Sequence, residues 1–146
     1  MTRHASGEVR VRVRYAETDQ MGVVYHANYL VWFEVGRAEL MRELGLHYKA
    51  MECEENARLV VAEATVRYKA PARYDDELIV RTRVAAVRGS VLRFAYTIER
   101  AEDGLLLTEG GTTHVVVGHD MKRAAMPPRY SEALRPHEQA GALASK

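Results

Sequence analysis

The sequence predicts an α+β domain in which one antiparallel sheet curls around one long helix. Three observations point there. Residues 8–15, "EVRVRVRY", alternate strictly between charged and apolar side chains. Residues 29–44 then switch to apolar positions at helical spacing. From residue 59 onward, four long stretches rich in β-branched side chains are separated by turn signals.

Each element has its own justification. In 8–15, Val9, Val11, Val13 and Tyr15 take one face and Glu8, Arg10, Arg12 and Arg14 the other, which describes a half-solvated strand. The helix places Tyr29, Leu30, Phe33, the stem of Arg37, Leu40, Met41 and Leu44 on one stripe, with Asn28 a candidate N-cap and Gly45 a candidate C-cap glycine. Val31, Trp32 and Val35 widen the apolar surface, so the helix is expected to be enclosed on most sides. The segment "HYKAMECEENAR" reads as polar and carries no assigned element. Strands follow at 59–70, 76–87, 90–100 and 105–118, with "RGS" (88–90) closing a hairpin and Asp103-Gly104 marking the next turn. Adjacent Gly110 and Gly111 predict a bulge or a close backbone approach. Pro127-Pro128 ends the sheet region, and "SEALRPHEQAGALASK" reads as a short helix and a frayed tail. One helix and one sheet leave a sheet face and its edges uncovered, so at least a dimer is expected.

Bulk properties narrow the function classes. A chain of 146 residues supports one domain over 1–146, with a core over about 8–128 and a C-terminal helix and tail over 129–146. A formal net charge of +1 gives no broad attraction to nucleic acid or anionic membranes. No stretch is long and apolar enough to insert in a bilayer, and the N-terminus lacks a signal-peptide core. Cys53 is alone, which removes an intrachain disulfide and fits a reducing compartment. The expected location is cytoplasmic.

Elimination precedes assignment. The chain has no GxSxG elbow, no phosphate-loop motif, no GxGxxG and no HExxH. His114 and His119 lack a third ligand at metal spacing, so no metal is expected and His114 reads as an ordinary strand residue. Cys53 lies among Glu52, Glu54 and Glu55, which oppose a thiolate. The remaining concentration of chemistry is "DQMGVVYHANYLVWFEVGR" (19–37), where Asp19 and His26 precede an apolar helix and Gly22 permits an unusual turn. A helix start offers unpaired N–H groups that can hold an oxyanion, and a nearby carboxylate can attack an acyl carbon or activate water. The same two residues equally suit ordinary capping of the loop and helix.

The run Tyr15…Asp19-x-x-Gly22-Val23-Val24-Tyr25-His26-x-Asn28-Tyr29 resembles the 4-hydroxybenzoyl-CoA thioesterase family of hotdog-fold proteins, within it the Tol-Pal-associated acyl-CoA thioesterase branch. "VRYKAPARYDDELIV" (66–80) and "EGGTTHVVVGHDMKRAAMPP" (109–128) extend the likeness over nearly the whole domain. The resemblance implies a sheet wrapped around a long helix, with sites at a dimer interface. It implies that Asp19 is the catalytic aspartate and that the His26 N–H polarises the thioester carbonyl. The branch has histidine at that position, and Tyr15 matches a tyrosine of its site. Arg88 falls near the basic residues that meet the coenzyme A phosphates in relatives, with Lys69, Lys122 and Arg123 as further candidates or plain surface charges. Glu34 and Glu39 lie outside the context of the second hotdog group, whose carboxylate comes from the helix.

The implied activity is hydrolysis of a small or medium acyl-CoA by a homodimer or homotetramer. No cofactor is needed, coenzyme A being part of the substrate. The rival expectation is a non-catalytic acyl-CoA or acyl-carrier-protein binding module.

Overall fold

The computed structural model describes residues 7–139. Strands β1 (Glu8–Arg12), β2 (Arg58–Tyr68), β3 (Glu77–Arg88), β4 (Val91–Arg100) and β5 (Leu106–Val117) form one sheet in the order β1-β3-β4-β5-β2. Every neighbouring pair is antiparallel. With α1 (Asn28–Glu43) laid against this sheet, the architecture is the hotdog arrangement that the sequence implied. Two short helices, α2 (Tyr48–Glu54) and α3 (Pro128–Leu134), complete it.

β1 keeps the predicted alternation but stops at Arg12, short of the expected Tyr15. Past that point the backbone of Val13 pairs with Asp75 and Asp76. The Arg14 N–H then donates to the Glu17 carboxylate at 2.7 Å, closing a 3-10 turn over Tyr15–Glu17. That turn swings the Tyr15 ring outward, where it meets Tyr74 edge-on.

α1 buries Tyr29, Trp32, Phe33, Gly36, Leu40 and Met41. Leu30, Val31 and Glu34 remain exposed, so its own chain encloses one face and not most sides. Asn28 is the first helical residue, and not the N-cap that its type suggested. Gly45 does end the helix, at φ +79, a conformation that costs a glycine little. The Leu46 N–H returns to the Met41 carbonyl and the Gly45 N–H to that of Arg42 (2.8 and 2.9 Å), the paired bonds of a Schellman motif.

The core lies between α1 and the sheet. Phe33 stacks on Tyr96 with centroids 4.2 Å apart. Gly110 makes this fit possible, because a Cβ there would collide with the Thr65 carbonyl and stand 2.8 Å from the Phe33 ring. Of the two readings of the Gly-Gly pair, close approach is the observed one. Both glycines stay in register with β2 and β4, and the irregularities fall elsewhere, at Val61/Glu63, Val84/Ala86 and Ile98/Glu99.

The segment read as merely polar contains α2, anchored by the fully buried Met51. A seven-residue helix with one buried side chain shows no periodic stripe to detect. α3 begins at Pro128, earlier than its sequence suggested, and sinks Tyr130 and Leu134 completely into the core. Residues 140–146 of the predicted tail lie outside the described residues.

Candidate active site at the mouth of the long helix

Asp19 is held by its own turn. Its N–H donates to the Val23 carbonyl (2.8 Å), its carbonyl accepts from Gly22 N–H (2.9 Å), and Gly22 closes the loop at φ +81. One carboxylate oxygen accepts from the Met21 N–H at 2.9 Å. Among the described residues no cation pairs with Asp19. The side chain is half-buried and lines a cleft of roughly 300 Å³ with Met21, Val24, His26, Tyr29 and Tyr68.

His26 also lines the cleft, two residues before α1. Around this entrance the N–H groups of Val24, Tyr25, Asn28 and Leu30 donate to backbone carbonyls, whereas among the described residues no backbone carbonyl accepts from His26 or Ala27. Ala27 occupies the N-cap position, and no side chain caps the helix. The helix start, with its partial positive charge and these N–H groups free of backbone acceptors, thus lies beside a cleft that also holds a carboxylate. The entrance is fixed from outside instead. The Asn28 side-chain amide donates to the Glu17 carbonyl at 2.8 Å, and the Tyr68 hydroxyl to the His26 carbonyl at 3.0 Å. Tyr29 accepts from the Ala72 N–H at 3.2 Å, and burial pushes its phenol pKa above the usual value. Apart from Lys69, the rest of the wall, Val23, Ala70 and Pro71, is apolar.

The sequence-predicted site residues divide into two groups. Asp19, His26 and Lys69 line the cleft together, Lys69 also lying 3.6 Å from Glu109. Tyr15 does not line it. The turn that ends β1 leaves this side chain 77% exposed against Tyr74, outside the cleft lining of the single chain. Arg88 and Arg123 lie at the other end of the sheet. Arg88 pairs with Val91, Val91 with Val115, and Arg123 bridges Val117. Val23 of the cleft bridges Arg73, four residues before β3, whereas Arg88 is the last residue of that twelve-residue strand. Lys122 shares the Arg123 loop. Glu34 and Glu39 are exposed on α1, away from the cleft lining. Tyr68 is the residue that sequence reading missed. It is 42 positions from its partner, and no local pattern marks it.

Elsewhere, His114 is buried on β5, where Thr112 bonds its Nε2 at 2.8 Å and Tyr96 at 2.6 Å. Burial, then the nearby Arg37 charge, pushes its pKa down to about 4. His119 is exposed and lies 3.0 Å from Arg58. Among the described residues no helix is long and apolar enough to cross a membrane.

The fold and this cleft define an enzyme class whose members break thioesters, and comparison with known proteins gives the same answer. Residues 13–134 match the model of the thioesterase-like superfamily, and the chain belongs to that family. It is 37% identical over 124 residues to the putative acyl-CoA thioesterase YneP of Bacillus subtilis, covering 85% of this chain and 86% of that one. It is 44% identical over 96 residues to the acyl-CoA thioester hydrolase YbgC of Escherichia coli, covering 66% and 71%. Among solved structures, the DHNA-CoA thioesterase of Staphylococcus aureus superposes with a TM-score of 0.83 at 33% identity, covering 88% of each chain. A hypothetical protein of Thermus thermophilus, TT1821, does so with a TM-score of 0.84 at 37% identity, covering 90% and 98%.

Proposed function

We propose that this chain hydrolyses small or medium acyl-CoA thioesters in the cleft between Asp19 and the start of α1. The observation that carries this reading is the pairing of a carboxylate free of cations with helix-mouth donors that no side chain caps. The thioester oxygen would sit against the N–H of His26, with that of Ala27 beside it, where charge develops as the carbonyl becomes tetrahedral. Asp19 then acts by one of two routes. As a nucleophile, its oxygen bonds to the acyl carbon, the thiolate of coenzyme A leaves, and water hydrolyses the mixed anhydride to return the carboxylate. As a base, it takes a proton from water while the resulting hydroxide displaces the same thiolate.

Thioesters are already activated, so coenzyme A enters as part of the substrate. A cleft at the small end of ligand-sized pockets favours modest acyl groups. Lys69, the cation among the cleft's lining residues, is our candidate contact for a coenzyme A phosphate. A homodimer or homotetramer is part of the proposal: β2 is an eleven-residue edge strand exposing Val61, and α1 exposes Leu30 and Val31. A cytoplasmic location goes with the exposed, unpaired Cys53 thiol.

The test is a panel of acyl-CoA substrates followed by release of free thiol, with wild type and Asp19→Asn side by side. Asp19→Asn should lower kcat by about 10²- to 10⁴-fold while the melting temperature and oligomeric state hold. Near-normal turnover by that variant would end the reading. Single-turnover hydrolysis in heavy-oxygen water separates the routes, since label in the Asp19 carboxylate requires the anhydride.

A further inference from the structure

We infer that Tyr68 is a positioning residue for this reaction, its hydroxyl holding the His26 carbonyl so that the open N–H groups at the mouth of α1 keep their aim. The inference rests on the hydrolysis reading and adds a residue to it. A conventional N-cap serine or aspartate at position 27 would fix the helix start locally by accepting from the N–H of Tyr29 or Leu30. Ala27 cannot do this, and it leaves the entrance without that local restraint.

Two remote side chains restore the restraint while using only carbonyl acceptors of the backbone. Asn28 reaches the Glu17 carbonyl behind the loop, and Tyr68 reaches the His26 carbonyl from the cleft side. The ring of Tyr68 also stands edge-on to those of His26 and Tyr29, at 6.3 and 5.5 Å. A phenylalanine would make those ring contacts equally well, so the hydroxyl is explained by the carbonyl it meets.

That bond has an electronic consequence. The His26 carbonyl and the Ala27 N–H belong to one peptide unit, so donation to the oxygen polarises the N–H and makes it a stronger donor. Burial raises the phenol pKa, which keeps the group a donor through neutral pH. The restraint comes from the last residue of β2, so the edge strand and the helix mouth are tied together.

The experiment compares Tyr68→Phe, Asp19→Asn and wild type on one acyl-CoA that the wild type hydrolyses. Tyr68→Phe should lower kcat about five- to tenfold and leave KM within about twofold, with faster amide exchange over residues 26–30. Unchanged kcat with unchanged exchange overturns the inference. So does a raised KM at constant kcat, which would make Tyr68 a substrate contact. If Asp19→Asn stays active, the hydrolysis reading fails on its own, and amide exchange still reports whether Tyr68 holds the helix mouth.

Discussion

At its C-terminal end α1 is closed by its own sequence. Gly45 adopts the left-handed conformation, and the N–H groups of Gly45 and Leu46 fold back onto the carbonyls of Arg42 and Met41. At its N-terminal end the same helix has no side-chain cap, and its entrance is held by Asn28 and Tyr68 through bonds to carbonyls 11 and 42 positions away. One end satisfies its orphan groups and serves stability alone. The other leaves N–H groups without backbone acceptors beside a cleft with a carboxylate in it. A helix end held by distant residues, with its own donors spare, is arranged for a ligand and not for itself.

The contrast breaks most readily at the open end. Replacing the Tyr25–His26 peptide by an ester removes one N–H and leaves the His26 side chain in place. Turnover should fall by about 10²- to 10³-fold with little change in melting temperature, whereas His26→Ala, which keeps the N–H, should lose much less. Equal losses from the two changes would move the work from the backbone to the imidazole.

Beneath the body of α1, Tyr96, Thr112 and His114 form a buried chain whose last member resists protonation. The unfolded chain takes up a proton at His114 near pH 6.5, whereas the folded chain does so only near pH 4. Stability from this group is therefore present above pH 6.5 and is lost as pH falls toward 4. Between pH 7 and 5 the loss should be about 2 kcal/mol, read from urea midpoints. His114→Val should flatten that slope, and an unaltered slope would remove His114 as its source.

The smallest effect belongs to the closed end. Gly45→Ala places a Cβ in open space but on a positive φ, so it should cost about 1 kcal/mol or slightly more with kcat untouched. A loss of turnover matching the mouth variants would show that the two ends are coupled after all.

Much of the architecture was legible in the chain because its signals are local. Strand periodicity placed β2 to β5 within two residues of their observed ends, and Gly45 announced the helix stop. The run from Asp19 to Asn28 drew attention to this cleft, since carboxylate, turn glycine and helix start lie within ten residues. Pattern is a weaker guide where long-range pairing overrides it. Tyr15 continues the β1 alternation, yet the Arg14–Glu17 turn and the pairing of Val13 with Asp75 and Asp76 divert it. Arg88 and Arg123 are plausible phosphate contacts by position in the chain, but strand register carries both to the far end of the sheet.

By itself the sequence determined the order of elements, the closed helix end and the loop that presents Asp19. These depend on side-chain periodicity and on glycines with particular φ values, which act over a few residues. Only tertiary structure decided that Lys69 and Tyr68 from the end of β2 would join Asp19 and His26 at one cleft, and that Phe33 would nest against Gly110. Those juxtapositions follow from how the strands pair and how the helix beds on the sheet, and no short window of the chain encodes them.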